Sequence, residues 1–403
     1  MKGRKFQHTL QLREDLGTNR KVWQLTSLPG NHHHLYFTSN SFTKHNDHVL
    51  FISDMGGDSP NLFKLNLQSG EAVQLTSNND GILKSYVYYN GNPYRGLGKA
   101  SPSYNPAADT LLYLQGREVR LLDVGTMEEE VLYTLPERVM TGFTHMSTDG
   151  RYACVPYIPA EAFEVGEGNP FTLIREKVTR EQIESKVLVI DTKTKTGDVW
   201  FSQVGWITHV QFHPTDPHKI LYNHEGGMVE QRIWLYDHGE IKRVRDQRGT
   251  DQPLWICHEM WLQQGYGAIY HGTTGVPNDP AMSDLEKKQD QITSFVGRIN
   301  LETGDIAELL FPAEMKAYGH FTASSSDERL VTDGIIDANK IHLVDANWQN
   351  RTMQWTEVCN HNSSFSVQDV HPHPIFSHDD RYLLFTSDAH NERGKGNLYL
   401  VEL

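Results

Sequence analysis

Thiols are scarce in this chain of 403 residues, and the three that occur, Cys154, Cys257 and Cys359, lie far apart. So few and so scattered, they build neither a disulfide framework nor a thiolate zinc site, and all three are expected to be buried and reduced. Long apolar runs are missing as well. The opening stretch MKGRKFQHTLQLRED has no signal-peptide core, and nothing later reaches the roughly 18 apolar residues of a membrane span. A cytoplasmic protein with no membrane attachment is the expectation.

Positive charge is in deficit: 37 Lys and Arg face 51 Asp and Glu, for a formal net charge of −14. That balance argues against nucleic acid as a partner, because phosphate binding leaves a basic footprint. An acidic small ligand would have to be held by local cations, meaning arginines, protonated histidines or a metal ion. Helical periodicity is nearly absent too, confined to TREQIESK (179 to 186) and DLEKKQDQ (284 to 291) in long insertions. No G-x-S-x-G elbow, Walker-type loop or GxGxxG occurs, and the glycine cluster YRGLGKAS (94 to 101) lacks the strand and helix that a dinucleotide fingerprint needs.

What is present is alternation and turns. Short alternating segments align on a turn resembling Asp-Gly-Arg, most clearly in MSTDGRYACVPY (146 to 157) and FSHDDRYLLFTSD (376 to 388). Weaker copies are FTKHNDHVLFISD, YNPAADTLLYLQG, FHPTDPHKILYNH, WLQQGYGAIYHG and TASSSDERLVTDG, which makes seven. Two further alternating segments follow most copies, as in NLFKLNLQSGEAVQLT and RIWLYDHGEIKRV. The reading is an all-β, seven-bladed propeller with four-stranded antiparallel blades, residues 1–403 forming one domain. The C-terminal NLYLVEL stops one strand short of a blade, and the N-terminal KVWQLTS resembles the outer strand EAVQLTS, so the two ends are expected to close the ring together.

Histidines are plentiful, 21 in all, and four of them share a position. Counting back six or seven residues from the turn reaches His209, His258, His320 and His373 in successive units, all expected at one end of the central channel. His371 lies two residues before His373 and would share its face on an extended strand. At each place the alternative is an ordinary histidine bonded to its neighbours. Imidazoles converging without thiolates suit Mn²⁺, Fe²⁺, Zn²⁺ or Ni²⁺. In QDVHPHP, Gln368, His371 and His373 offer an amide oxygen and two ring nitrogens on a backbone stiffened by Pro372 and Pro374. In NHEGGMVEQR a strand ends at His224 and Glu225, and Arg232 follows, either to grip a carboxylate through both arms of its fork or to pair with Glu230 or Asp237. His258, in CHEMW, has the chemistry of a general base.

These segments resemble the oligogalacturonate lyases, through RKVWQLTS with HHHLYF, NHEG with its downstream arginine, CHEMW, GHFTASSSD and, most specifically, QDVHPHPIFSHDDRYLLFTSD. The resemblance implies a cytoplasmic enzyme that cleaves short pectin-derived acidic oligosaccharides by β-elimination. It implies an Mn²⁺ site, or one for another divalent metal, on His320, Gln368, His371 and His373. It implies His258 as Brønsted base and an arginine beside the substrate at Arg232. His258 and Arg232 are the expected catalytic residues, and His224, Arg232 and His209 the expected substrate contacts. The chain departs from the family pattern in Phe-Thr-Ala after His320, in a shorter stretch beyond it, and in Asn223 before His224 where a cysteine is usual. The alternatives are a lyase for another uronate-containing saccharide, a non-catalytic binding propeller and an oxygen-using iron enzyme. Oligomeric state is left open.

Overall fold

A computed structural model describes residues 1–403 apart from 19, 58, 79–101, 227–228, 249, 251–253, 276–291, 313–318 and 335–338. The described strands form seven antiparallel sheets, arranged as the blades of a propeller. Their inner strands are His32–His34, Ser103–Asn105, Val139–Thr141 with His145–Met146, Ile207–Phe212, Leu254–Trp261, Phe321–Ala323 and Ile375–Phe376. The seven aligned segments are the hairpins joining these inner strands to the second strands. In six of them the turn contains a left-handed residue: Asn46, Asp109, Gly150, Gly265, Asp327 and Asp380, with φ between 51° and 76°. Only Gly, Asn and Asp take that conformation cheaply, which explains why the repeated turn keeps its residue type and loses its letters.

The ring closes through the termini. Val22–Gln24 lies antiparallel to Asn397–Glu402, with Val22 opposite Val401 and Gln24 opposite Tyr399, so the N-terminus supplies blade 7 with its fourth strand. Two shorter segments add to this plan: Lys5–Gln7 covers the outer edge of blade 1 and Gln11–Leu12 that of blade 7, leaving both five-stranded. Alternating residues such as Leu50, Ile52, Leu112 and Leu114 pack between blades, and all three cysteines are buried and free.

The one α-helix among the described residues spans Pro170–Glu181, nine residues upstream of the start expected from TREQIESK, and residues 184–186 belong to a strand. Its start is written in the sequence: Asn169 caps Phe171 N–H and Thr172 N–H, and Pro170 occupies the first turn. Ile174 and Val178 are buried with Phe163 and Trp206, and Gln182 ends the helix in a left-handed conformation. The second expected helix, 284 to 291, and the cluster YRGLGKAS lie outside the described residues.

Candidate metal and catalytic centre

The inner strands of blades 4 and 5 are irregular where their histidines sit. Pairing shifts between Ile207 and Val210, around His209, and between Cys257 and Met260, around His258. His258 and His373 both have left-handed backbones, with φ of 48° and 42°. Non-glycine residues held there carry strain, and bulges re-aim a side chain relative to the regular alternation of the strand. The result is convergence. The His320 ring lies 3.7 Å from that of His373, 5.6 Å from His371 and 4.5 Å from His258, centroid to centroid.

His320, His371 and His373 each offer a ring nitrogen within 4.8 Å of the others. Gln368 stands on a short 3-10 turn leading into them, and its buried Oε1 has no hydrogen-bond partner among the described residues. A buried amide oxygen without a partner costs about 1–3 kcal/mol, a cost that a cation beside three imidazoles would remove. Nitrogen and oxygen donors with no thiolate match a borderline divalent ion.

Asp333 organises this set. Its carboxylate accepts the His320 Nδ1–H (2.7 Å), the His320 backbone N–H (2.9 Å) and the His373 backbone N–H (3.1 Å). Burial alone would raise the Asp333 pKa, but the neighbouring His320 and these N–H groups bring it down to about 2. With Nδ1 donating to Asp333, His320 keeps Nε2 for an ion, the usual carboxylate–histidine–metal arrangement.

His258 is partly exposed and bonds through Nδ1 to His271 Nε2 at 2.6 Å. Desolvation, and then the neighbouring His320, His271 and Arg232, hold its pKa well below the ordinary histidine value. It is therefore neutral near pH 7, as a proton acceptor must be.

Arg232 is buried between two carboxylates, with Nε donating to Glu259 Oε2 (3.1 Å) and Nη1 to Glu225 Oε1 (2.9 Å), while Nη2 has no partner among the described residues. Neither anticipated partner, Glu230 nor Asp237, is the one used. Because Nε and Nη1 each already serve a protein carboxylate, three of the five guanidinium N–H groups remain, two of them on Nη2. Glu259 also bonds His209 Nδ1 at 2.7 Å. Burial raises the Glu259 pKa, but Arg232 and His209 outweigh it and leave it at about 2.

His224 is not brought into this group. Its Nε2 bonds Gln203 Oε1 at 3.1 Å, and its ring packs on Trp234 and against Gly205, turned towards the outer strand of blade 3. Sequence reasoning assigned no role to Asp333, Glu259 and His271, yet hairpin arithmetic reaches two of them. Phe321 pairs with Thr332, which sets His320 opposite Asp333, and Cys257 pairs with His271, which sets His271 beside His258.

The family model for oligogalacturonate lyase matches residues 1–403. A curated oligogalacturonate lyase from Dickeya dadantii (strain 3937) is 24% identical over 430 residues, covering 100% of this chain and 98% of the relative. An oligogalacturonide lyase from Pectobacterium atrosepticum is 23% identical over 425 residues, with the same coverage. Among solved structures, an oligogalacturonate lyase in complex with manganese has a TM-score of 0.80 at 24% identity, covering 100% of this chain and 98% of its own. An oligogalacturonate lyase from Vibrio parahaemolyticus has a TM-score of 0.78 at 21% identity, again over 100% of this chain and 98% of that one. The structural likeness speaks for the propeller, and the match to the family model along its whole length for the rest: the chain belongs to the oligogalacturonate lyase family.

Proposed function

We propose that residues 1–403 act as one domain that cleaves short oligogalacturonides, fragments of pectin, by metal-assisted β-elimination in the cytoplasm. The observation that carries this reading is the convergence of His320, His371, His373 and the unpartnered Gln368 Oε1 beside a neutral His258. Those four residues would hold a divalent cation, with Mn²⁺ favoured by the manganese complex of the similar lyase. When bound, the ion supplies Lewis acidity to a uronate carboxylate and so acidifies the adjacent C5–H.

His258 takes the C5 proton. Arg232 Nη2, near enough to help lower the His258 pKa, offers its N–H groups to a substrate oxygen. Since Glu225 and Glu259 already balance its charge, Arg232 contributes a directed donor rather than net positive field, and in an acidic protein the attraction for an anion falls chiefly to the cation site. His209 enters through Glu259, which it shares with Arg232, and steadies that donor.

The test is direct. Purified protein with Mn²⁺ and digalacturonate or trigalacturonate should generate the ultraviolet absorbance of a 4,5-unsaturated uronate, and its rate of formation should vanish with chelator and return with Mn²⁺. Protein stripped of metal, verified by elemental analysis, that still cleaved at the original rate would overturn both site and mechanism.

A further inference from the structure

His271 lies on the second strand of blade 5, Gly267–Gly275, buried and across the hairpin from Cys257, where its ring meets the bulged His258. The two rings are 4.9 Å apart at 34°, with His258 Nδ1 and His271 Nε2 separated by 2.6 Å. Cys257, His258 and His271 also bring three donor atoms within 4.8 Å of one another, which invites a second metal site. The nitrogen spacing argues against it. Two ligands of a tetrahedral ion with bonds of about 2.0–2.1 Å stand about 3.3 Å apart, so a pair at hydrogen-bond distance shares a proton and not a metal. Burial also keeps the Cys257 thiol protonated, with its pKa raised to about 12.

Between two neutral imidazoles one ring donates and the other accepts, and the choice decides whether His258 can work. If His271 Nε2–H donated, His258 would carry its proton on Nε2 and have no lone pair there. We infer that His271 accepts the Nδ1–H of His258 and so presents the Nε2 lone pair to the substrate, making His271 the positioning residue of the base. This rests on the reading of His258 as base.

In the elimination, the C5–H bond breaks and its proton passes to His258 Nε2. The electron pair becomes the C4–C5 double bond, and the C4–O4 bond breaks with its pair on oxygen. Water protonates the departing O4 and later takes the proton from His258. While His258 is an imidazolium, its Nδ1–H bond to His271 becomes charge-assisted and therefore stronger, which stabilises the proton-transfer state more than the resting one.

The experiment compares His271→Leu with His271→Gln in the full-length, Mn²⁺-loaded protein, the glutamine keeping an acceptor oxygen at the reach of Nε2. The leucine variant should lose at least about 10-fold in kcat, within the roughly 10⁴ that a wrong histidine tautomer costs, while KM and bound Mn²⁺ hold. The glutamine variant should recover most of that loss. Independently, ¹⁵N NMR of the metal-free wild type should show His258 protonated on Nδ1 and bare on Nε2. A proton on Nε2, an unchanged kcat in the leucine variant, or equal losses in both variants would overturn the inference. Absence of lyase activity in the wild type would instead defeat the reading of His258 as base, while the NMR spectrum still reports which ring donates.

Discussion

The densest histidine run in the chain, His32–His34 in blade 1, differs in kind from the dispersed histidines of blades 5 to 7. His32 donates from Nε2 to Leu28 O (2.8 Å) and accepts at Nδ1 from Ser53 Oγ (2.8 Å). His34 donates from Nε2 to the backbone oxygen of His373 (2.9 Å) and accepts at Nδ1 from Thr386 Oγ1 (2.6 Å). His33 lies 3.6 Å from Asp369, the residue after Gln368. His32 and His34 spend both ring nitrogens on the protein and the run braces the segment 369–373, whereas His320, His371 and His373 converge on a point. Density along a sequence therefore marks a brace here, and coincidence in space marks the centre.

The sharpest way to break this contrast is His258→Ala, expected to cost about 10²–10⁴ in kcat while metal content and melting temperature stay near wild type. Retention of more than half the activity would remove His258 as base. His371→Ala or His373→Ala should lower both Mn²⁺ occupancy, read by elemental analysis, and turnover by more than the roughly 10–100-fold typical of losing a residue bonded to a ligand. Gln368→Ala, which removes a neutral oxygen, should cost less occupancy than either.

Arg232→Ala strips Glu225 and Glu259 of their shared cation, and a buried charge left unpaired costs about 3–5 kcal/mol. A large drop in melting temperature should accompany its loss of kcat/KM, and Arg232→Lys should fall between, since an ammonium lacks the fork that spans both carboxylates. An Arg232→Ala protein as stable as wild type would refute the ion-pair account. His34→Phe should be milder, with a destabilisation of about 1–3 kcal/mol by denaturant titration and somewhat weaker Mn²⁺ retention, because the His373 carbonyl loses its donor. If it emptied the metal site as fully as His373→Ala, the distinction between brace and ligand would fail.

The smallest effect concerns acid. Burial first, then nearby His33, lowers the His32 pKa to about 4 despite opposing help from the Leu28 carbonyl and Asp54. The unfolded chain takes up this proton near the free value of about 6.5 and the folded chain does not, so stability is full above that pH and falls between about 6.5 and 4. His32→Gln, which keeps a side-chain donor and cannot titrate, should melt with a shallower decline over that window. An unchanged slope would show that His32 takes no part in the acid response.

Seven hairpins, their order and the closure by Val22–Gln24 were legible in the sequence because they depend on local rules: alternation with period two and a turn residue that tolerates positive φ. The donors Gln368, His371 and His373 were legible as a segment for the same reason, being neighbours in the chain. Helix Pro170–Glu181 was misplaced because its cap, Asn169-Pro170, carries more information than the charged stretch chosen for it. What only the tertiary structure decided is which side chains meet. His209 reaches Glu259 across 50 residues and His34 reaches the His373 carbonyl across 339, and two bulged strands set where the rings of His209 and His258 point. Strand alternation predicts a face for each residue, but a bulge resets that face and ring closure brings distant blades together, so the roles of Arg232, His224 and the His32–His34 run follow from contacts that no local pattern encodes.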